Sequence, residues 1–288
     1  MNATPTTVEL RAGELRLAVR ADLGGCIAGL WRGELPVLRS SEPGELGAAR
    51  LSGCYPLVPY SNRLGYRRFR WLGREYTTQP NFDDNPHSVH GVAWLRAWSV
   101  VQEPAPSTTR ATLRYRHEGD AHWPFAFEIE QRFELTEQAL DVRLHFKNLA
   151  AHAQPVGLGW HPYFPKRTRS RLHIELAERW DNDATGLPVR RVAQPGIDAD
   201  VAHLEFDNCF AGWRGAARLR DEKLSLRLTS SLPYLVVFTP QTKPYYCVEP
   251  VSHVSNAIHM ADPAAHGLAT VDAGQGLEAW MRLEVSGA

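Results

Sequence analysis

Alternation with a period of two residues runs through most of this chain and limits what it can fold into. Leu15, Leu17 and Val19 alternate with Glu14, Arg16 and Ala18. Phe125, Phe127, Ile129, Gln131, Phe133 and Leu135 share one parity, with Glu128, Glu130, Arg132 and Glu134 on the other. Leu140, Val142, Leu144 and Phe146 alternate with Asp141, Arg143 and His145. The same pattern returns at Leu224, Leu226 and Leu228, and at Leu277, Ala279, Met281, Leu283 and Val285. Successive side chains of a strand point to opposite faces, so these segments predict strands with one buried and one wet face. Leu235-Val236-Val237-Phe238 lacks polar alternation and predicts a central strand covered on both sides. No long stretch keeps a 3.6-residue period between good caps, and 22 Gly and 20 Pro punctuate the strands. The predicted fold class is all-β, a large antiparallel β-sandwich with long loops and few short helices.

A chain of 288 residues has room for one large domain or two ordinary ones. The sequence holds no internal repeat, low-complexity tract or obvious linker, so one domain over residues 1–288 is the expectation. Residues 102–107 and 194–196 are expected to be exposed loops. Basic and acidic residues number 32 each, which leaves no global field to recruit nucleic acid or an acidic membrane. No 18 consecutive residues are apolar, and residues 1–12 lack the charged start and apolar stretch of a signal peptide. A cytoplasmic location is therefore expected. Cys26, Cys54, Cys209 and Cys247 are scattered without a C-x-x-C pair, unlike a stapled secreted domain or a zinc site.

Several segments carry residues suited to proton transfer. Residues 55–65 hold Pro56, Pro59 and Gly65, so they read as a stiff, irregular connection that presents Asn62 and Arg63. A guanidinium there donates several hydrogen bonds in a fixed fork, which suits neighbouring hydroxyls, although a surface arginine beside a turn looks the same. His87 and His90 lie three apart with Gly91 following; a metal would need a third ligand, and none is spaced for it. His161 sits among Trp160, Pro162, Tyr163 and Phe164, a setting for either a partly desolvated sugar site or a core edge. Its imidazole, with an unperturbed pKa of about 6.5, is suited to proton exchange near neutrality. Glu249 follows Tyr245-Tyr246-Cys247-Val248 and precedes Pro250, so it is expected partly buried as the chain leaves a strand, whether as a tuned base or in an ion pair. Asp207 could accept from two adjacent hydroxyls, or be an ordinary turn residue.

Taken together these segments resemble the aldose 1-epimerase (mutarotase) family and its galactose-mutarotase-like relatives. The resemblance rests on Pro59-Tyr60-Ser61-Asn62-Arg63, His87-Ser88-Val89-His90-Gly91, His161-Pro162-Tyr163-Phe164, Asp207-Asn208-Cys209-Phe210 and Cys247-Val248-Glu249-Pro250, in the family's order across most of the chain. It implies the family's large β-sandwich and an aldose substrate. It also implies Glu249 as the base at the anomeric hydroxyl, His161 as the acid at the ring oxygen, and His90 as a second histidine near that oxygen. Arg63, Asp207 and Asn62 are implied to bind the sugar, with no metal and no organic cofactor. Three departures bear on the sugar's identity. Val92 follows Gly91 where a second glycine is common, His161 is preceded by Trp160 where the family commonly has Asn, and Pro250-Val251-Ser252-His253 is similar to a divergent bacterial branch. Two rival readings remain. The basic runs Arg67, Arg68, Arg70, Arg74 and Lys166, Arg167, Arg169, Arg171 would suit a hexose-6-phosphate epimerase, and a non-catalytic carbohydrate-binding sandwich would keep the fold alone.

Overall fold

The structure, a computed structural model, describes residues 6–102 and 107–288. Most of the expected 102–107 loop and the first five residues lie outside the described residues. Two large antiparallel sheets dominate. The nine-stranded sheet runs, in order, Ser99–Val100, Arg110–His117, Phe127–Leu135, Ala139–Asn148, Gly276–Gly287, Leu224–Ser230, Ala216–Arg220, Arg171–Ile174 and Ile197–Asp200. The eight-stranded sheet runs Pro188–Ala193, Glu178–Asn182, Asp207–Ala211, Tyr234–Phe238, Tyr245–Val251, Gly159–Trp160 and Pro56–Leu57, and Tyr163–Pro165 also pairs with Tyr245–Val251. A four-stranded meander covers Thr7–Ala12, Leu15–Arg20, Cys26–Arg32 and Leu35–Pro36. Among the described residues, helical structure is confined to three-residue 3-10 turns, and no helix is long and apolar enough to cross a membrane.

The alternation read from the sequence sorts the side chains. Phe127, Ile129, Phe133, Leu140, Val142, Leu144, Phe146, Met281 and Leu283 from the nine-stranded sheet join one apolar cluster with Phe210, Leu235, Val237, Tyr246 and Val248 from the eight-stranded sheet. The opposite parity of the latter sheet gives Cys209, Val236, Cys247 and Val251, which pack with Tyr55, Leu57, Trp94, Tyr163 and Trp180 in a second cluster. The strand Tyr234–Phe238 is thus covered on both faces, as predicted, with Leu235, Val236 and Val237 all buried.

One local expectation is corrected. Glu249 does not leave a strand, because Tyr245–Val251 continues through Pro250. Proline is tolerated because it pairs with Leu235 on one side, while on the other side pairing lapses from Trp160, which lies opposite it, to Pro162.

Candidate active site

Register brings the central carboxylate and imidazole together. Gly159 pairs with Val251 and Tyr163 pairs with Cys247, so His161 falls opposite Glu249 in the gap between them. His161 Nε2 lies 3.3 Å from Glu249 Oε1, and both side chains are buried. The imidazole stacks on Tyr163 with centroids 4.4 Å apart, meets Tyr55 at 4.8 Å and faces His90 nearly perpendicularly at 5.1 Å. His161 Nδ1 and Glu249 Oε2 are buried without a hydrogen-bond partner. Buried polar atoms are nearly always satisfied, so these two are groups that a hydroxylated ligand would complete.

The loop after Pro59 and the segment around His90 build the facing wall. Asn62 and His90 both take the left-handed conformation, with φ of 56° and 64°. His90 N–H donates to Asn62 O at 2.9 Å, and Asn62 N–H donates to His90 Nδ1 at 3.0 Å. Nδ1 is therefore an acceptor, and the neutral ring carries its proton on Nε2. Gly91 follows with φ of 68°, and a Cβ there would collide with the Val58 carbonyl. Asn62 Oδ1 accepts from Arg63 N, Arg63 Nη1 and Ser255 Oγ at 2.9, 3.1 and 3.2 Å. Asn62 is thus the hub that aims Arg63, and its own amide oxygen is already occupied. Arg63 Nη2 reaches Asp207 Oδ2 at 3.3 Å, and Arg63 Nε is buried without a partner. A Cβ on Gly186 would lie 2.6 Å from the Arg63 guanidinium carbon, so glycine is what lets that loop approach. Asp207 shares the parity of Cys209 at the start of its strand and is half exposed.

Electrostatics follow from burial. Desolvation raises the Glu249 carboxyl well above its ordinary value, with nearby Asp207 adding to the rise and Arg63 opposing it. Desolvation lowers His161 well below its ordinary value, and His90 and Arg39 push the same way. Burial takes His90 down to about 3, with Arg63 contributing. Burial therefore favours the uncharged form of both imidazoles and of the Glu249 carboxyl.

Other sequence candidates fall elsewhere. His87 is buried, accepts from Tyr66 N at 2.9 Å and lies 3.2 Å from Thr185 O, so both nitrogens are committed to the backbone. His253 is likewise held by Ser61 N and Val254 O. In the second basic run, Lys166 donates to Pro240 O, Arg167 pairs with Asp221, and Arg171 pairs with Asp198 and Asp200. In the first run, Arg68 and Arg70 lie on the exposed face of the Arg68–Trp71 and Arg74–Thr77 hairpin, and Arg74, opposite Trp71 on the other face, is exposed at its turn end. All four cysteines are free and buried. The donor atoms of Cys247, His161 and Glu249 lie within 4.8 Å of one another, the one cluster among the described residues with ligands enough to contact a metal. Sequence reasoning did not single out Tyr55, Phe82 or Trp94, although Tyr55 stacks on Trp94 and Phe82 meets His90 edge-on. Cys247 was findable by parity, two residues before Glu249. Phe82 and Gly186 carried no local signal.

The sandwich and its cleft define a galactose-mutarotase-like architecture. A galactose mutarotase-like protein from Clostridium acetobutylicum superposes with a TM-score of 0.86 at 19% identity, covering 98% of this chain and 95% of that one. The model of the aldose 1-epimerase family matches residues 6–284, and the chain belongs to that family. It is 31% identical to the uncharacterized protein YphB of Escherichia coli (strain K12), over 97% of this chain and 99% of that protein. A solved structure from Escherichia coli K12 matches with a TM-score of 0.89 and 30% identity, over 99% and 100% of the two chains. Membership supports a carbohydrate epimerase of the isomerase class.

Proposed function

We propose that the protein is an aldose 1-epimerase that interconverts the α and β anomers of a free aldohexose. The observation that carries this reading is the buried Glu249–His161 contact of 3.3 Å, with His90 on the facing wall. Arg63 and Asp207 bind ring hydroxyls, and Asn62 positions Arg63. A bound sugar donates hydroxyl hydrogen bonds to the carboxylate, which moves the shared proton from Glu249 to His161. Glu249 then takes the O1 proton, the O1–H electrons form the C1 carbonyl, the C1–O5 bond breaks and O5 receives the proton from His161. Rotation about C1–C2 presents the other carbonyl face, and the same transfers run backwards. The pair holds one proton at the start and one at the end. His90, neutral with its proton on Nε2, donates a hydrogen bond toward O5.

Polarimetry of freshly dissolved α-D-glucose and α-D-galactose tests the proposal, read as acceleration over buffer. The wild type should accelerate at least one of them. Glu249→Gln should lose most of that acceleration while still binding sugar, and activity should survive a chelator. No acceleration of any aldohexose over buffer would overturn the assignment. A second reading, hexose-6-phosphate epimerase, is favoured by the exposed Arg68, Arg70 and Arg74, which pair with no carboxylate among the described residues. Comparing glucose with glucose 6-phosphate separates the two. A binder without chemistry has no use for a buried acid against an imidazole, whose isolation from water is costly.

A further inference from the structure

A cavity of about 300 Å³ lies one aromatic layer beyond His90, lined by Phe82, Trp94, Asp22, Asp83, Arg50 and Gly47. Its inner wall is continuous with the cleft. Phe82 meets His90 at 6.4 Å and Trp94 at 6.2 Å, and Trp94 stacks at 5.3 Å on Tyr55, which contacts both cleft histidines. Trp94 is 5% exposed, yet its indole Nε1 is buried without a hydrogen-bond partner. The nitrogen is closed off from the cavity, so what Trp94 presents to it is the apolar ring. The volume sits at the small end of those that hold ligands.

We infer that this cavity is a subsite for a neutral, hydroxylated substituent at C6 of the aldose, such as a second sugar ring joined through O6. The inference rests on the proposed mutarotase reading. With O1 at Glu249 and O5 between His161 and His90, the carbon that projects past His90 is C5 with its C6 branch. The lining chemistry selects the substituent. Arg50 is already paired with Asp83, and Asp22 with Arg20, so a phosphate would find no free cation among these residues and would meet two carboxylates. A polyol is suited to these walls, because Phe82 and Trp94 cover the apolar face of a sugar ring while the Asp22 and Asp83 carboxylates accept from its hydroxyls.

The test compares mutarotation of isomaltose, a glucose carrying a second glucose on O6, with that of glucose and glucose 6-phosphate. Isomaltose should be favoured in kcat/KM by about tenfold or more. A Cβ on Gly47 meets nothing within 4 Å, so Gly47→Trp fills the cavity without a backbone clash. This variant should bring the isomaltose-to-glucose ratio back to about one, and Ala48→Phe on the same wall serves if it does not fold. A ratio near one in the wild type, a preference that survives filling, or a preference for glucose 6-phosphate would overturn the subsite. If the wild type accelerates none of the sugars, the mutarotase reading fails separately. Saturation-transfer NMR of isomaltose then decides the cavity. Signals from the non-reducing ring that vanish in Gly47→Trp support it, and their absence in the wild type overturns it.

Discussion

The two faces of the strand Tyr245–Val251 have the same backbone and neighbours but opposite content. Tyr246 and Val248 enter the main core with Phe210, Leu235 and Val237. Cys247 and Glu249 point the other way, against Tyr163, His161 and the approach of Asp207. Both faces are buried, so burial does not distinguish them. Chemistry does: the core face of this strand presents an aliphatic and a phenol side chain, whereas the cleft face holds the ionisable Glu249 and His161, with Oε2 and Nδ1 lacking partners. The five buried histidines divide in the same way, His117 being held by Tyr115 Oη and Trp123 O. His87 and His253 have both nitrogens committed, while His90 and His161 each keep one for a ligand.

Substitutions on the two faces should separate rate from stability. His161→Ala should lower turnover roughly 10²–10⁴-fold, the range for a positioned acid–base group, with little loss in melting temperature. A stopped mutarotation time course on protein shown to be folded by calorimetry measures it. Near-normal turnover would remove His161 from the chemistry. Leu235→Ala, one strand away on the core face, should do the reverse. Deleting a fully buried leucine costs about 2–5 kcal/mol of stability, while kcat per folded molecule should hold; a matching collapse in kcat would mean the two faces are not separable. Arg63→Ala should act between these extremes, raising KM about tenfold with a smaller change in kcat. A fall in kcat alone would shift Arg63 from binding to the transition state.

The fold was legible because alternation is a local signal: four of the segments named from it are strands of the nine-stranded sheet, and the fifth, Leu15–Arg20, is a strand of the four-stranded meander. The cleft was legible in part. The segments holding Asn62, Arg63, His90, His161, Asp207 and Glu249 could be named, and the structure brings their side chains into one neighbourhood. What stayed hidden depends on pairing between distant strands. That His161 lies opposite Glu249 follows from register across a ladder gap, and Pro250 suggested an ending because its tolerance depends on that same gap. The aromatic wall of Tyr55, Phe82 and Trp94 is assembled from three segments with no shared motif. The second basic run looked available because its carboxylate partners are far away in sequence.

The smallest effect concerns the cost of keeping a carboxyl in the cleft. Folding raises the Glu249 pKa above its unfolded 4.5. The native protein therefore holds a proton there that the unfolded chain releases as pH rises, and stability is lost progressively above pH 4.5. Glu249→Gln keeps the shape without this titration. The variant should melt with the wild type near pH 4.5 and above it at about pH 8, by a few degrees for each kcal/mol relieved in a chain of this size. The buried histidines do not confuse the comparison. His90 falls to about 3 and His253 to about 4, so both proteins lose stability alike as pH drops below the 6.5 of a free imidazole. Scanning calorimetry of the pair across this range gives the difference directly. A gap independent of pH would mean that Glu249 is ionised in the folded protein as in the unfolded one, with His161 as its charged partner, and the neutral resting cleft would have to be abandoned.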